Sequence, residues 1–135
     1  MPPKLSDQDQ RRFIRIPKEA DLTINKLEYP LNGTTVEAKT KNLSSKGICF
    51  LTSTPYQVDS LLNLKIELQG WQNYLQSVSS IVDSRLLSKP LTAICQVVWT
   101  KKIADESGYE VGVRFQDIYE DDYQAFYKYL DKFTL

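Results

Sequence analysis

A chain of 135 residues, 41% of them hydrophobic, has material for one ordinary core, so a single folded unit is expected. Its seventeen Lys and Arg are matched by seventeen Asp and Glu, which excludes a protein-wide field able to hold the molecule on nucleic acid or anionic lipid. Histidine is absent, which removes the commonest general base near neutral pH and the commonest ligand for zinc, copper or iron, so neither an enzyme nor a metal protein is expected.

Residues 1–10, MPPKLSDQDQ, are polar, carry two prolines and show no periodic apolar face, which predicts a flexible N-terminal arm ahead of a single domain over 11–135. No apolar run of signal-peptide length opens the chain and no stretch of about 18 apolar residues occurs, so a soluble, cytoplasmic protein is expected. RRFIRIPK then sets Arg11, Arg12, Arg15 and Lys18 around Phe13, Ile14 and Ile16. From Met1 to Lys18 five basic residues stand against two acidic ones, a local positive excess in a neutral chain.

Alternation of apolar and polar residues predicts six strands. Ala20, Leu22 and Ile24 mark the first and Val36, Ala38 and Thr40 the second, with hairpin chemistry at Leu31-Asn32-Gly33 between them. Ile48-Cys49-Phe50-Leu51 makes the third, and Leu62, Leu64, Ile66 and Leu68 the fourth. Ala93, Cys95, Val97 and Trp99 keep a period of two in the fifth, as do Tyr109, Val111, Val113 and Phe115 in the sixth. Cys49 and Cys95, inside apolar strands, read as free thiols of the core. Between the fourth and fifth strands, Trp71, Leu75, Val78, Val82 and Leu86 sit at roughly helical spacing. They predict an inserted helix at about 71–88, a lid over an open barrel end or else a dimer or effector surface. Tyr123, Phe126, Tyr127 and Leu130 fall at i, i+3, i+4 and i+7 of a terminal helix. Glu120, Asp121 and Asp122 open it and Lys128 and Lys132 close it, so the acids read as partners of the helix dipole and not as acid–base catalysts. The whole describes a mostly β fold, a six-stranded antiparallel barrel with a C-terminal α-helix.

Two motifs carry chemistry. Arg11 and Arg15 are four apart with Arg12 between them, and a guanidinium fork matches phosphate oxygens two at a time or the O6 and N7 of guanine. A solvated basic arm is the plain alternative. NLSSKG, residues 42–47, offers an amide at Asn42, a hydroxyl at Ser44 and, at Gly47, a backbone free to take positive φ or to admit a ligand closely. A turn that satisfies its own backbone is the alternative there.

In this order, RRFIR followed by NLSSKG opening 27 residues after Arg15 resembles the paired signature of PilZ domains, an RxxxR arm and a [D/N]xSxxG turn. GVRF at Gly112 to Phe115, followed by a helix after Asp117, resembles the family's last strand and C-terminal helix, so the likeness spans about residues 10–133. It implies a barrel whose arm folds over the second messenger cyclic di-GMP, a ligand and not a cofactor. By position, Arg11 and Arg15, joined by Arg12, would grip phosphates and guanine, while Asn42, Ser44 and Gly47 support the other side. Trp99 falls where some family members set an aromatic ring against a guanine, and barrel core is the equal alternative for it. The insertion at 71–88 exceeds the compact family pattern. Gln10 stands where relatives often carry a basic or apolar residue, a position that bears on whether one ligand or an intercalated pair binds.

The expectation is therefore a bacterial cyclic di-GMP receptor and adaptor, catalysing nothing, whose arm changes conformation and signals to a separate, unidentified effector protein. Monomer and homodimer both fit the pattern. A degenerate PilZ module that binds a protein partner without nucleotide is the alternative, against which the intact arginines and turn argue. Neutral charge and a short basic stretch disfavour a nucleic-acid binder.

Overall fold

The structure, a computed structural model, describes residues 13–28, 35–75, 88–103 and 108–133. In chain order they form β1 (Arg15–Pro17), β2 (Asp21–Lys26), β3 (Val36–Ser44), β4 (Gly47–Thr52), β5 (Leu61–Glu67), a 3-10 turn (Trp71–Tyr74), β6 (Leu91–Lys102), β7 (Tyr109–Asp117) and α1 (Glu120–Asp131). All pairings are antiparallel, and the ladder β3-β2-β5-β6-β7-β4 returns to β3, closing a barrel of six strands. Closure removes the exposed edges that an open sheet of this size would carry. The expected fold class is what the chain adopts.

β1 is a strand beyond the expected six, formed by residues assigned to the basic approach segment. Arg15, Ile16 and Pro17 lie opposite Ser44, Leu43 and Asn42, so β1 and β2 run one after the other along the same edge of β3. The cause is hydrophobic: Ile14 and Ile16 are buried in the core, a gain of about 1.5–3 kcal/mol for each such side chain. Thr40, itself buried, holds the step between the two strands. Its hydroxyl accepts the Ala20 N–H at 2.8 Å and donates to the Lys18 carbonyl at 2.7 Å. The 1–10 arm, with Arg11 and Arg12, and the Leu31-Asn32-Gly33 turn lie outside the described residues.

Inward side chains follow the period of two until bulges in β3 and β6 break it. Lys41 is the extra residue between Thr40 and Asn42 of β3, opposite Phe50 and Cys49; Val98 is the extra residue between Val97 and Trp99 of β6, opposite Val113 and Gly112. An inserted residue moves everything after it to the other face. The row Ala93, Cys95, Val97 therefore ends at Val97, and Trp99, expected to continue it, stands on the outer surface.

The buried stripe of α1 is Asp122, Ala125, Phe126, Tyr129 and Leu130, turned slightly from the expected one, with Tyr123 and Tyr127 at its margin. Phe115 meets Tyr123 and Phe126 edge-on, which sets that rotation. Asp122 is buried against Lys89 at 3.2 Å, so it is a structural ion pair in the acidic first turn. Of the inserted helix at 71–88, only Trp71–Tyr74 is helical among the described residues, as one 3-10 turn, and 76–87 lie outside them. Trp71 and Leu75 are buried and this turn packs on α1. No helix among the described residues is long and apolar enough to cross a membrane.

Candidate functional site

Residues directly opposite in an antiparallel ladder share a face. On the outer face this puts Pro17, Asn42, Cys49, Gly112 and Trp99 in one row across β1, β3, β4, β7 and β6. Arg15 faces Ser44, and on the far side of the tight β3–β4 turn Gly47 faces Arg114, which faces Gln96. The two rows, apart from Pro17 and Gln96, line a concave pocket of about 240 Å³, with Phe13, Lys46 and Val98 on its walls. Arg15, Asn42, Ser44, Gly47 and Trp99, singled out in the sequence, all line it, and Arg11 and Arg12 lie outside the described residues.

The charge of this pocket is one-sided. Arg15, Lys46 and Arg114 line it and no carboxylate among the described residues does, although the protein as a whole is neutral. A larger open groove of about 1170 Å³ runs past Glu19, Asp21, Glu37 and Glu67, with Lys39 its lone cation among the described residues. That groove repels anions and contains none of the residues nominated by sequence.

Arg15 is exposed on β1 between the buried Ile14 and Ile16, and its guanidinium makes no hydrogen bond or ion pair among the described residues. Its backbone is fixed, and none of its five N–H donors is taken by a described residue. The half-buried Asn42 carboxamide likewise makes no hydrogen bond among the described residues. Ser44 is different. Its hydroxyl accepts from the N–H groups of Gly47 at 3.0 Å and Lys46 at 3.2 Å and donates to the Gly47 carbonyl at 2.9 Å. One donor and two lone pairs are thus all used, so the hydroxyl shapes the turn.

Gly47 does not take the positive φ considered for it; among the described residues the one glycine that does is Gly70. A side chain at Gly47 would overlap the Val113 carbonyl oxygen and lie 2.8 Å from the Arg114 Cα, so glycine is required by the close approach of β4 to β7. Gly112 serves Trp99 in a similar way: a Cβ there would sit 2.8 Å from Cζ2 and closer still to Nε1 and Cε2 of the indole. The ring therefore lies across a bare stretch of β7 and stays 40% exposed at the pocket, which rules out the core alternative.

Cys49 forms part of the floor and its thiol donates to Glu110 Oε2 at 3.3 Å, so it belongs to the outer row and not to the core as expected. Burial, then the Glu110 hydrogen bond and charge, push the thiol up to about 12 and keep it neutral. Glu110 also accepts from Lys41 Nζ at 3.2 Å. Burial pushes its carboxyl up, yet the hydrogen bonds from Cys49 and Lys41 and the Lys41 and Lys101 charges win and hold it below the usual range. The acid next to the pocket is thereby neutralised by its own lysine.

Three residues that the sequence reading passed over organise the site. Ser45 donates its N–H to the Ile14 carbonyl at 2.8 Å and accepts the Ile14 N–H on its hydroxyl at 3.1 Å. Its carbonyl takes the Tyr123 hydroxyl of α1 at 2.7 Å, so strand β1, the turn and the helix meet at one residue. Arg114 donates from Nε and Nη2 to Gln96 Oε1 at 2.9 and 2.6 Å. Nothing in the sequence marks Ser45, because its role depends on the register of β1. Arg114 could have been noticed within GVRF as a lone cation in a strand.

No curated protein sequence matches the chain significantly. Solved structures do. The structure of Bacillus subtilis inhibitor of motility (MotI/DgrA) is 15% identical with a TM-score of 0.66, covering 91% of this chain and 50% of that one. The K. pneumonia MrkH complex with c-di-GMP is 20% identical with a TM-score of 0.59, covering 91% and 51%. The PilZ domain of YcgR from Escherichia coli, solved with c-di-GMP, is 16% identical with a TM-score of 0.57, covering 91% and 92%. The chain thus spans about half the length of MotI and MrkH and nearly all of the YcgR domain. At these identities the likeness establishes the barrel. The PilZ domain family model matches residues 9–132, nearly the entire chain, and the protein belongs to the PilZ domain family.

Proposed function

We propose that the pocket between β1, the β3–β4 turn and Trp99 binds cyclic di-GMP, and that the protein is a cytoplasmic receptor and adaptor, not an enzyme. The observation that carries this reading is the pocket's composition: three cations, a carboxamide without a described partner and an exposed indole, with no carboxylate among its described lining residues. A dianionic dinucleotide with two aromatic bases needs that combination, since guanidinium forks suit its phosphates and an indole face suits a base. The c-di-GMP complexes of two proteins sharing this fold support the choice of ligand. Arg15 and Asn42 make direct contacts in this reading, Ser44 and Gly47 shape the turn, and Trp99 stacks. Arg11 and Arg12 close over the ligand from the chain ahead of β1. The conformational change is confined to residues before Ile14, because Ile14 and Ile16 are already anchored in the core. The closed arm then presents a new surface to a separate effector protein.

Isothermal titration of cyclic di-GMP into the purified chain tests this. Binding in the micromolar range or tighter, lost in Arg15→Ala and accompanied by protease protection of the chain ahead of β1, is the expected result. Absence of heat at saturating nucleotide refutes the receptor, and would leave a PilZ module that binds only protein.

A further inference from the structure

We infer that Arg114, held in place by Gln96, reads the edge of a guanine base stacked on Trp99 and so sets the specificity of the pocket for guanine over adenine. The inference deepens the proposed nucleotide site and rests on it. Arg114 stands two residues after Gly112 on the same face of β7, and Gly112 is the seat of the Trp99 ring. Two residues along a strand span about 6.8 Å, close to the width of a base. A base lying on the indole therefore directs one edge toward the Arg114 side chain.

The chemistry of that edge is donor-rich. Arg114 is exposed and engages a single neutral acceptor, the Gln96 carboxamide oxygen, through Nε and Nη2. The other face of its guanidinium makes no hydrogen bond among the described residues. Gln96 is oriented by its own second contact, Nε2 donating to Asp59 Oδ1 at 3.4 Å, which keeps its oxygen toward Arg114. Guanine presents O6 and N7 as acceptors, matching a guanidinium, while the Gln96 oxygen, which already accepts twice from Arg114, holds that fork in place. Adenine places an amino donor where O6 would be, which sets donor against donor. Arg15 lies about three strand intervals away, some 14 Å, on the opposite wall of the pocket, and is left to serve a phosphate.

Titration of cyclic di-GMP into the full chain and its Arg114→Lys and Arg114→Ala variants, each at several salt concentrations, tests the assignment. Lysine keeps the charge and loses the fork, so both variants are expected to weaken binding about 10- to 100-fold. The slope of log affinity against log salt should stay at the wild-type value in both, whereas Arg15→Ala should flatten it, because only a phosphate contact contributes to that slope. Both Arg114 variants should melt with the wild-type chain, the side chain being exposed. Arg114→Lys within threefold of wild type, or a slope flattened by Arg114→Ala, overturns the base-reading assignment and leaves the pocket's ligand standing. A wild-type chain that takes up no cyclic di-GMP overturns both.

Discussion

Ser44→Ala separates a turn brace from a ligand contact. The hydroxyl makes three hydrogen bonds inside the β3–β4 turn, two accepted and one donated. Removing it leaves the buried Gly47 N–H and carbonyl short of a partner, while the Lys46 N–H, on an exposed residue, can turn to water. Each neutral bond contributes about 0.5–1.5 kcal/mol net, and an orphaned buried group costs about 1–3 kcal/mol. Two buried groups orphaned at the lower end of that range, with the third bond recovered, cost about 2 kcal/mol of fold stability. At about 2.1 cal/mol/K per residue, 135 residues lose about 0.28 kcal/mol per degree near the midpoint, so the melting temperature should fall by about 7 °C. Urea unfolding followed by tryptophan fluorescence is the assay, with a lower midpoint at unchanged m-value as the expected signature. Nucleotide affinity should fall by only about 0.5–1.5 kcal/mol, through slack in the turn. A variant within 0.5 kcal/mol of wild-type stability that has nevertheless lost its affinity would show that the hydroxyl is a ligand group and that the bonding assigned to it is mistaken.

Arg15→Ala should behave in the opposite way: exposed and without a described partner, it should change stability by less than about 0.5 kcal/mol while weakening cyclic di-GMP by about 1.5–3 kcal/mol, read by urea unfolding and titration together. Tyr123→Phe removes the donor to the Ser45 carbonyl and should cost about 1 kcal/mol of stability by the same unfolding assay. Alkaline pH should destabilise the fold. Cys49 and Cys95 are both pushed up to about 12, chiefly by burial, whereas unfolded thiols ionise near 8.5–9, so between these limits the folded chain holds more protons than the unfolded one. Stability contributed by the two thiols is therefore intact below about pH 9 and declines as pH rises toward 12; urea midpoints at pH 8 and pH 10 should differ less in a Cys49→Ala/Cys95→Ala variant than in the parent chain.

The barrel was legible because its strands alternate so regularly: Leu62, Leu64 and Ile66 in β5 or Val111 and Val113 in β7 allow no other face inward. The paired arginine and turn motifs likewise located the pocket, as five of the seven nominated residues line it and the other two fall outside the described chain. What the sequence did not carry is register. RIP is too short to read as a strand; it becomes one only when Ile14 and Ile16 find the core and Ser45 supplies two hydrogen bonds across a separation of 31 residues. Gly47 invited an argument from φ, yet the reason for glycine is the β7 backbone against it, which no local pattern records.

Trp99 makes the same point at the level of one side chain and leads to function. Read by period, it is the fourth member of a buried row; one extra residue, Val98, moves it outside. Another bulge, at Lys41, lies in β3 just ahead of Asn42, so each carrier of a nominated ligand group on β3 and β6 follows a break in the ladder. A barrel this small has a filled interior and can bind a nucleotide only on its outer face, where regular alternation places mostly solvated polar residues. Bulges solve that conflict locally, since they redirect one or two side chains without disturbing the rows before them. The site is thus built from exceptions to the rule that builds the core, which is why a pattern strong enough to fix the fold misplaces the residue that faces the pocket.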